Sequence, residues 1–135
     1  MIDILDASAL LAFIKKEKGY QKVEQLFLDA ESKGKSLFMH QINFIEFIYK
    51  ARQIYNMEKF NEIIADLQTP LFGIMNYIDA DIAFYCGHLK AEYHLSLGDA
   101  IGLAYTKIME GRFWSADKAL LDVSNKEKIE LNVFR

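Results

Sequence analysis

Short apolar runs alternate with longer segments whose apolar positions recur every three or four residues, and this alternation continues along the whole chain. Residues 2–5 (IDIL) read as a brief strand running straight into Asp6. From Ala7 to about Lys16, Leu10, Leu11, Phe13 and Ile14 form the apolar stripe of a helix. Gly19 interrupts it. Residues 20–32 then place Val23, Leu26, Phe27 and Ala30 at helical spacing, with Gly34 as a C-terminal stop. Residues 36–39 (SLFM) predict a second buried strand, and residues 41–55 and 57–68 two helices split near Asn56, the second ending before Pro70. Residues 71–77 (LFGIMNY) predict a third strand, weakened by Gly73. Asp79 opens a helix running to about His94. A turn at Ser96–Gly98 leads into another, with Ile101, Ala104, Tyr105, Ile108 and Met109 on one face and Gly111 at its end. RFWS (112–115) is a short strand, 117–122 a turn or two of helix, and IELNVF (129–134) a last strand.

Strands that alternate with helices predict a largely parallel sheet covered on both sides. The expected fold is α/β: one domain over residues 1–135, with a central sheet of about four to five strands. At 135 residues the chain is the size of a single domain with a substantial core. No repeat, linker or low-complexity tract divides it. Apolar residues make up 52% of the chain and there is one proline, a composition that excludes a disordered polypeptide. The opening run MIDILDASALLAFI is too short and too acidic for a membrane span and lacks the basic start of a signal peptide, so a cytoplasmic protein is expected. The single cysteine, Cys86, excludes an internal disulfide and a cysteine-built zinc site, and its apolar setting IAFYCGHL predicts a packing role.

Against this frame, four acids stand out: Asp6 in ILDASALL, Glu46 in INFIEF, Asp99 in LGDAIGLA and Asp117 in WSADKALL. Asp6 and Asp117 follow strands. Asp99 lies in the first turn of a helix and Glu46 about one turn into another. In open parallel sheets ligands collect beyond the carboxyl ends of the strands, so helices that start at one edge would bring the four side chains together. Carboxylates gathered in that way repel unless a cation lies between them, and a hard divalent ion is the usual remedy.

Each acid also has an ordinary structural explanation. Asp99 suits a helix N-terminus, and Asp117 can cap the short helix after it. Glu46 shares a face with Asn43, Lys50 and Gln53, as in a solvated polar stripe. Asp6 is harder to explain in this way, because it interrupts a hydrophobic run where an unpaired charge is costly to bury. The formal net charge of −3 gives no broad basic footprint for nucleic acid. With the four acids set aside, 16 basic residues face 15 acidic ones, since 19 − 4 = 15. Local phosphate contacts therefore remain open. Lys15, Lys16 and Lys18 cluster after Asp6, and Lys118 follows Asp117; a solvated helix end explains the cluster equally well.

The stretches LDASALLAFI (Asp6, Ser8), NFIEF (Asn43, Glu46), LSLGDAIGLA (Asp99) and FWSADKAL (Ser115, Asp117) resemble, in order and spacing, those of PIN domains, especially the small VapC-like toxins of toxin–antitoxin pairs. The resemblance covers nearly the whole chain. It implies an endoribonuclease using Mg²⁺, or alternatively Mn²⁺. Asp6, Asp99 and Asp117 match the metal-binding positions and Glu46 the family's glutamate, while Ser8, Asn43 and Ser115 order the site or touch substrate. It further implies hydrolysis to a 5′-phosphate and a 3′-hydroxyl, an RNA substrate, a cognate antitoxin protein, a homodimer and no membrane. The stretch before Glu46 reads MHQIN where relatives often carry Ser or Thr, which leaves the cap of that helix unassigned.

Other chemistries fit less well. His40, His88 and His94 supply no catalytic pair, as His88 and His94 are six apart and do not share a helix face. Asp3 and Asp6 have the wrong spacing for an aspartyl-phosphate D-x-D pair, and no phosphate-binding G-x-x-x-x-G-K-[ST] loop is present. A non-catalytic PIN-like interaction module is the alternative. INFIEFIY is apolar around much of its circumference, so Phe44, Phe47, Ile48 and Tyr49 can pack against a second subunit or a partner helix, or equally into the protein's own core.

Overall fold

A computed structural model describes all 135 residues. Five strands, β1 (Asp3–Leu5), β2 (Leu37–His40), β3 (Phe72–Met75), β4 (Arg112–Ser115) and β5 (Glu130–Val133), form one sheet in the order β3-β2-β1-β4-β5. All four pairings are parallel. Seven helices connect them: α1 (Ala7–Lys15), α2 (Tyr20–Lys33), α3 (Gln41–Ile54), α4 (Met57–Leu67), α5 (Ala80–Glu92), α6 (Leu97–Ile108) and α7 (Leu120–Glu127). The expected α/β domain with both sheet faces covered is therefore what forms. No helix is long and apolar enough to cross a membrane.

Side-chain alternation along the strands divides the core in two. Leu5, Leu37, Met39 and Trp114 face a cluster with Leu10, Leu11, Val23, Phe47 and Ile63 of α1 to α4. Ile4 and Phe113 face the opposite cluster, with Ile82 and Leu89 of α5, Ile101, Leu103 and Tyr105 of α6, and Leu120 and Val123 of α7. Cys86 lies buried in this second cluster, as expected. Strand β1 is central and fully covered, which explains why IDIL reads as a continuous apolar run broken only by Asp3. Asp3 is not an orphan, because the Trp114 indole N–H donates to its Oδ1 at 2.9 Å across the β1–β4 pair. The bulky Trp114 thus fills the core with its ring and neutralises a buried acceptor with its N–H.

Several local expectations shift. The second strand runs one residue further, to His40, because the His40 ring caps α3: Nδ1 accepts from the Ile42 amide at 3.2 Å while Nε2 meets the Tyr77 carbonyl at 3.1 Å. That supplies the cap that MHQIN left unassigned. Ser96–Gly98 is no separate turn; Ser96 is the N-cap of α6, and Leu97 and Gly98 lie inside its first turn. The last helix occupies residues 120–127 rather than 117–122, so Asp117 precedes it. The third strand is shorter than residues 71–77, and Gly73 belongs there: it pairs with Phe38, whose ring would lie 3.1 Å from an added Cβ. Phe47 is fully buried and unavailable to a partner, and Phe44 and Ile48 pack against the same core; Tyr49 is about half exposed, as is Ile45 beside it.

A second glycine fixes how closely α6 approaches the sheet. A Cβ on Gly102 would lie 2.5 Å from Phe113 Cζ and 3.1 Å from Asn43 Nδ2, so α6 rests directly on β4 and beside α3. Alanine normally stabilises a helix interior by about 1 kcal/mol over glycine. At this position overpacking, typically about 1–3 kcal/mol, should win. Gly102→Ala is expected to lower the denaturant midpoint without changing its slope, and a midpoint at or above wild type would show that α6 can move away freely.

Candidate active site

Strand order reverses around β1: β2 and β3 lie on one side, and β4 and β5 on the other. The crevice beyond the carboxyl ends of β1 and β4 is the place where such sheets bind ligands. Asp6 follows β1 directly, and its backbone N–H donates to the Trp114 carbonyl of β4 at 3.1 Å. Its side chain caps α1, with Oδ1 accepting the Ala9 amide at 2.9 Å and the Ser8 hydroxyl at 2.6 Å. The same Ser8 hydroxyl accepts the Ala116 amide at 3.0 Å, tying the end of β4 to the start of α1. Ser115 is fully buried, and its hydroxyl accepts the Asp117 amide at 3.1 Å. Two serines and one aspartate thus clamp the two strand ends that define the crevice.

Asp6 is 5% exposed. Burial is the main reason its carboxyl is raised from 3.8 to about 6; the Ser115 and Ser8 hydroxyls and the Ala9 amide oppose that rise, and repulsion from Asp99 adds least. Mutual repulsion of crowded acids, the premise suggested by the sequence, is therefore secondary to desolvation at this residue. Asp99 shows the same hierarchy. Burial raises its carboxyl most, Ser96 opposes, and Asp117 and Glu46 raise it further. Asp99 is the hub, within electrostatic reach of Asp6, Glu46 and Asp117.

Glu46 reaches this group from α3. An added Cβ on Gly98 would stand 3.2 Å from Glu46 Oε2 and 3.6 Å from Asn43 Oδ1, so both side chains lie against the first turn of α6. A carboxylate there is favoured by the positive end of the helix dipole. Asn43 is fully buried, its Nδ2 donating to the Gly98 carbonyl at 3.4 Å and its Oδ1 lacking any partner. Glu46 Oε1 forms an ion pair with Lys50 Nζ at 2.8 Å. Asp117 stands exposed at the rim, where its Oδ1 accepts the Ala119 amide at 2.9 Å. The polar stripe read on α3 is thus graded: Asn43 is buried, Glu46 and Lys50 are half-buried, and Gln53 is in solvent.

Asp99 is coupled to each of the other three acids, yet no three carboxylates, histidines or cysteines close up into a finished metal-ligand set. The donor chemistry still suits a hard cation. The groups are oxygen donors, one buried amide oxygen is unpartnered, and the buried Asp6 and half-buried Asp99 are each destabilised in their charged form. Mg²⁺ keeps several of its waters, so an open pair of carboxylates is a sufficient anchor. Residues outside the crevice serve other ends. His88 and the Tyr85 and Tyr93 hydroxyls converge on the Glu127 carboxylate, at 3.1, 2.6 and 2.7 Å, fastening α5 to the end of α7.

A single parallel domain with an acidic crevice at its strand reversal is the class that fold and site define. The PIN domain family model matches residues 4–126, and the chain belongs to that family. Solved structures agree in fold. VapBC2 from Rickettsia felis bound to a promoter DNA fragment is 17% identical, with 98% of each chain covered and a TM-score of 0.75. VapBC-1 from nontypeable Haemophilus influenzae is 18% identical, covering 99% of this chain and 98% of that one, with a TM-score of 0.71. FitAcB from Neisseria gonorrhoeae is 16% identical, with 96% of each chain covered and a TM-score of 0.69. No curated relative matches the chain.

The elevated Asp6 carboxyl yields a signed prediction for stability. Between about pH 4 and pH 6 the folded protein retains a proton that the unfolded chain has released. Stability in metal-free buffer should therefore be greatest below about pH 4 as far as Asp6 is concerned, fall as pH rises through about 6, and level off above. The shift corresponds to about 3 kcal/mol. Asp6→Asn keeps a capping oxygen of equal quality. It should raise the thermal midpoint at neutral pH by several degrees in chelator and flatten the slope between pH 4 and 6. A variant less stable than wild type at neutral pH would refute burial as the dominant cost.

Proposed function

We propose that this protein is a metal-dependent endoribonuclease that hydrolyses RNA phosphodiester bonds, and that it is the toxin of a toxin–antitoxin pair. The observation that carries the reading is Asp6. A buried carboxylate is held at the strand reversal by its own helix cap and two serines, with Asp99 within electrostatic reach of it and Glu46 and Asp117 within reach of Asp99. A fold needs no such costly group for packing. Family membership and the likeness to VapBC structures, together with a toxin–antitoxin complex from Klebsiella pneumoniae at 20% identity and a TM-score of 0.63, support the same direction.

In this reading Asp6, Asp99 and Asp117 would hold a Mg²⁺ or Mn²⁺ ion. When bound, such an ion polarises a phosphate and makes a water more acidic. The chain's own residues do the rest. Ser8 and Ser115 fix the Asp6 carboxylate between β1 and β4, and Asn43 fixes α3 against α6 so that Glu46 faces the crevice. Asp117 sits at the rim, where it meets solvent and incoming substrate first. Glu46 or Asp117 is suited to orient the attacking water, being less buried than Asp6. The exposed Ile45 and Tyr49 on α3 offer a surface for a second copy or for an antitoxin.

The direct test is incubation of the purified protein with RNA in Mg²⁺ or Mn²⁺, followed by sequencing of the cut ends. Cleavage should leave 5′-phosphates, stop with EDTA, and fall by about 10²–10³-fold in Asp6→Asn and Asp99→Asn, the loss usual when a charge-positioning group is removed. Equal cutting by both folded variants, or none by any form, would leave the interaction module as the better reading. Gly98→Ala separates geometry from stability. Alanine favours the helix by about 1 kcal/mol but pushes on the Glu46 carboxylate. Cleavage should drop while the thermal midpoint holds or rises; unchanged cleavage would show that the Glu46 position is immaterial.

A further inference from the structure

The acidic crevice contains a cation of its own. Lys50 stands one helical turn beyond Glu46 on α3, and its Nζ lies 2.8 Å from Glu46 Oε1, the shortest ion pair in the molecule. An i,i+4 Glu–Lys pair on a helix surface is commonplace, and by itself stabilises by only a few tenths of a kcal/mol. Its surroundings set this one apart. The Glu46 carboxylate is pressed against the first turn of α6, next to the unpartnered Asn43 oxygen. Lys50 also interacts favourably with Asp6 and Asp99, so its charge is felt by three of the four crevice acids. None of the other ion pairs involves one of these acids; Lys33–Asp29 and Lys126–Asp122, for example, are i,i+4 pairs within α2 and α7.

We infer that Lys50 is a positioning residue and built-in counter-cation: it holds Glu46 against α6 in the metal-free protein and competes electrostatically with a divalent ion for the same crevice. This rests on the metal-dependent reading above. With Lys50 in place the Glu46 charge is compensated through Oε1, so an ion would be left to the aspartates and Glu46 Oε2 would be available to orient water. Without Lys50, the Glu46 carboxylate would be available to an ion and the field at the crevice would be more negative. Tighter ion binding follows, together with a less stable metal-free protein, because Asp6 and Asp99 lose a compensating charge.

Mn²⁺ binding measured by calorimetry or by the loss of free-ion electron paramagnetic resonance signal tests this without reference to catalysis. Lys50→Met retains a good helix former at a partly exposed position, and Lys50→Arg retains the charge. Lys50→Met should bind Mn²⁺ on the order of tenfold more tightly than wild type, with Lys50→Arg close to wild type. In chelator its thermal midpoint should be lower. The gain should shrink when Glu46→Gln is added, since the proposed route runs through that carboxylate. If wild type binds Mn²⁺ and Asp6→Asn does not, but Lys50→Met binds equally or more weakly, the counter-cation role is overturned while the metal-dependent reading stands. Absence of binding by wild type and Lys50→Met alike would overturn both. Binding by Lys50→Met alone would support competition in its strongest form.

Discussion

Everything in the crevice depends on one carboxylate being kept where water scarcely reaches. Asp6 ends the central strand, caps the first helix and accepts the Ser8 hydroxyl, and all of this occurs at the point where the sheet changes direction. Its hydrogen bonds lower the cost of the charge, yet burial still outweighs them. A parallel sheet with helices on both faces leaves few places where a charged group can be both fixed and accessible. The reversal beside β1 is one of them, because no helix closes over the gap between the outgoing chains.

The glycines and serines around this carboxylate keep the neighbouring elements close. Gly102 lets α6 rest on β4, which brings Asp99 down toward Asp6. Gly98 leaves room for Glu46 and Asn43 at the start of α6. Ser8 binds both Asp6 and the Ala116 amide, coupling α1 to the segment that carries Asp117. These small residues contribute little chemistry themselves. They set the separations on which the electrostatics of the acids depends.

Much of this was readable from the chain because periodicity and punctuation are local signals. The IDIL run, the helical stripe after Ala7 and the alternation of strands with helices lead directly to a covered parallel sheet, and the order of the acid-bearing stretches alone resembles that of PIN domains. Longer-range features were not legible. Nothing local to Asp3 tells that a tryptophan 111 residues away satisfies it. Glu127 at the end of α7 gives no hint that Tyr85 and His88 of α5 and Tyr93 just beyond it converge on it. His40 looked like a strand's successor, yet it is the missing cap, because imidazole nitrogen can accept an amide as a serine oxygen does. The division of labour within the acidic set, burial first and repulsion second, likewise follows only from packing.

The structural and functional explanations of these acids turn out not to compete. Asp6 is a helix cap and Asp99 a first-turn acid, as ordinary folding physics favours, and the positive helix ends that welcome them also favour an anion at the same edge. The cap bonds from the Ala9 amide and the Ser8 hydroxyl both fall on Asp6 Oδ1, leaving Oδ2 outside the cap. A carboxylate that caps through one oxygen is oriented for use through the other, with no separate scaffold needed. The same economy applies to α3, where an unremarkable i,i+4 pair becomes part of the crevice's charge balance only because Gly98 lets it lie against α6. Helix starts gathered at one sheet edge thus supply capping groups and, by the same geometry, a cluster of acids whose charge some cation must compensate.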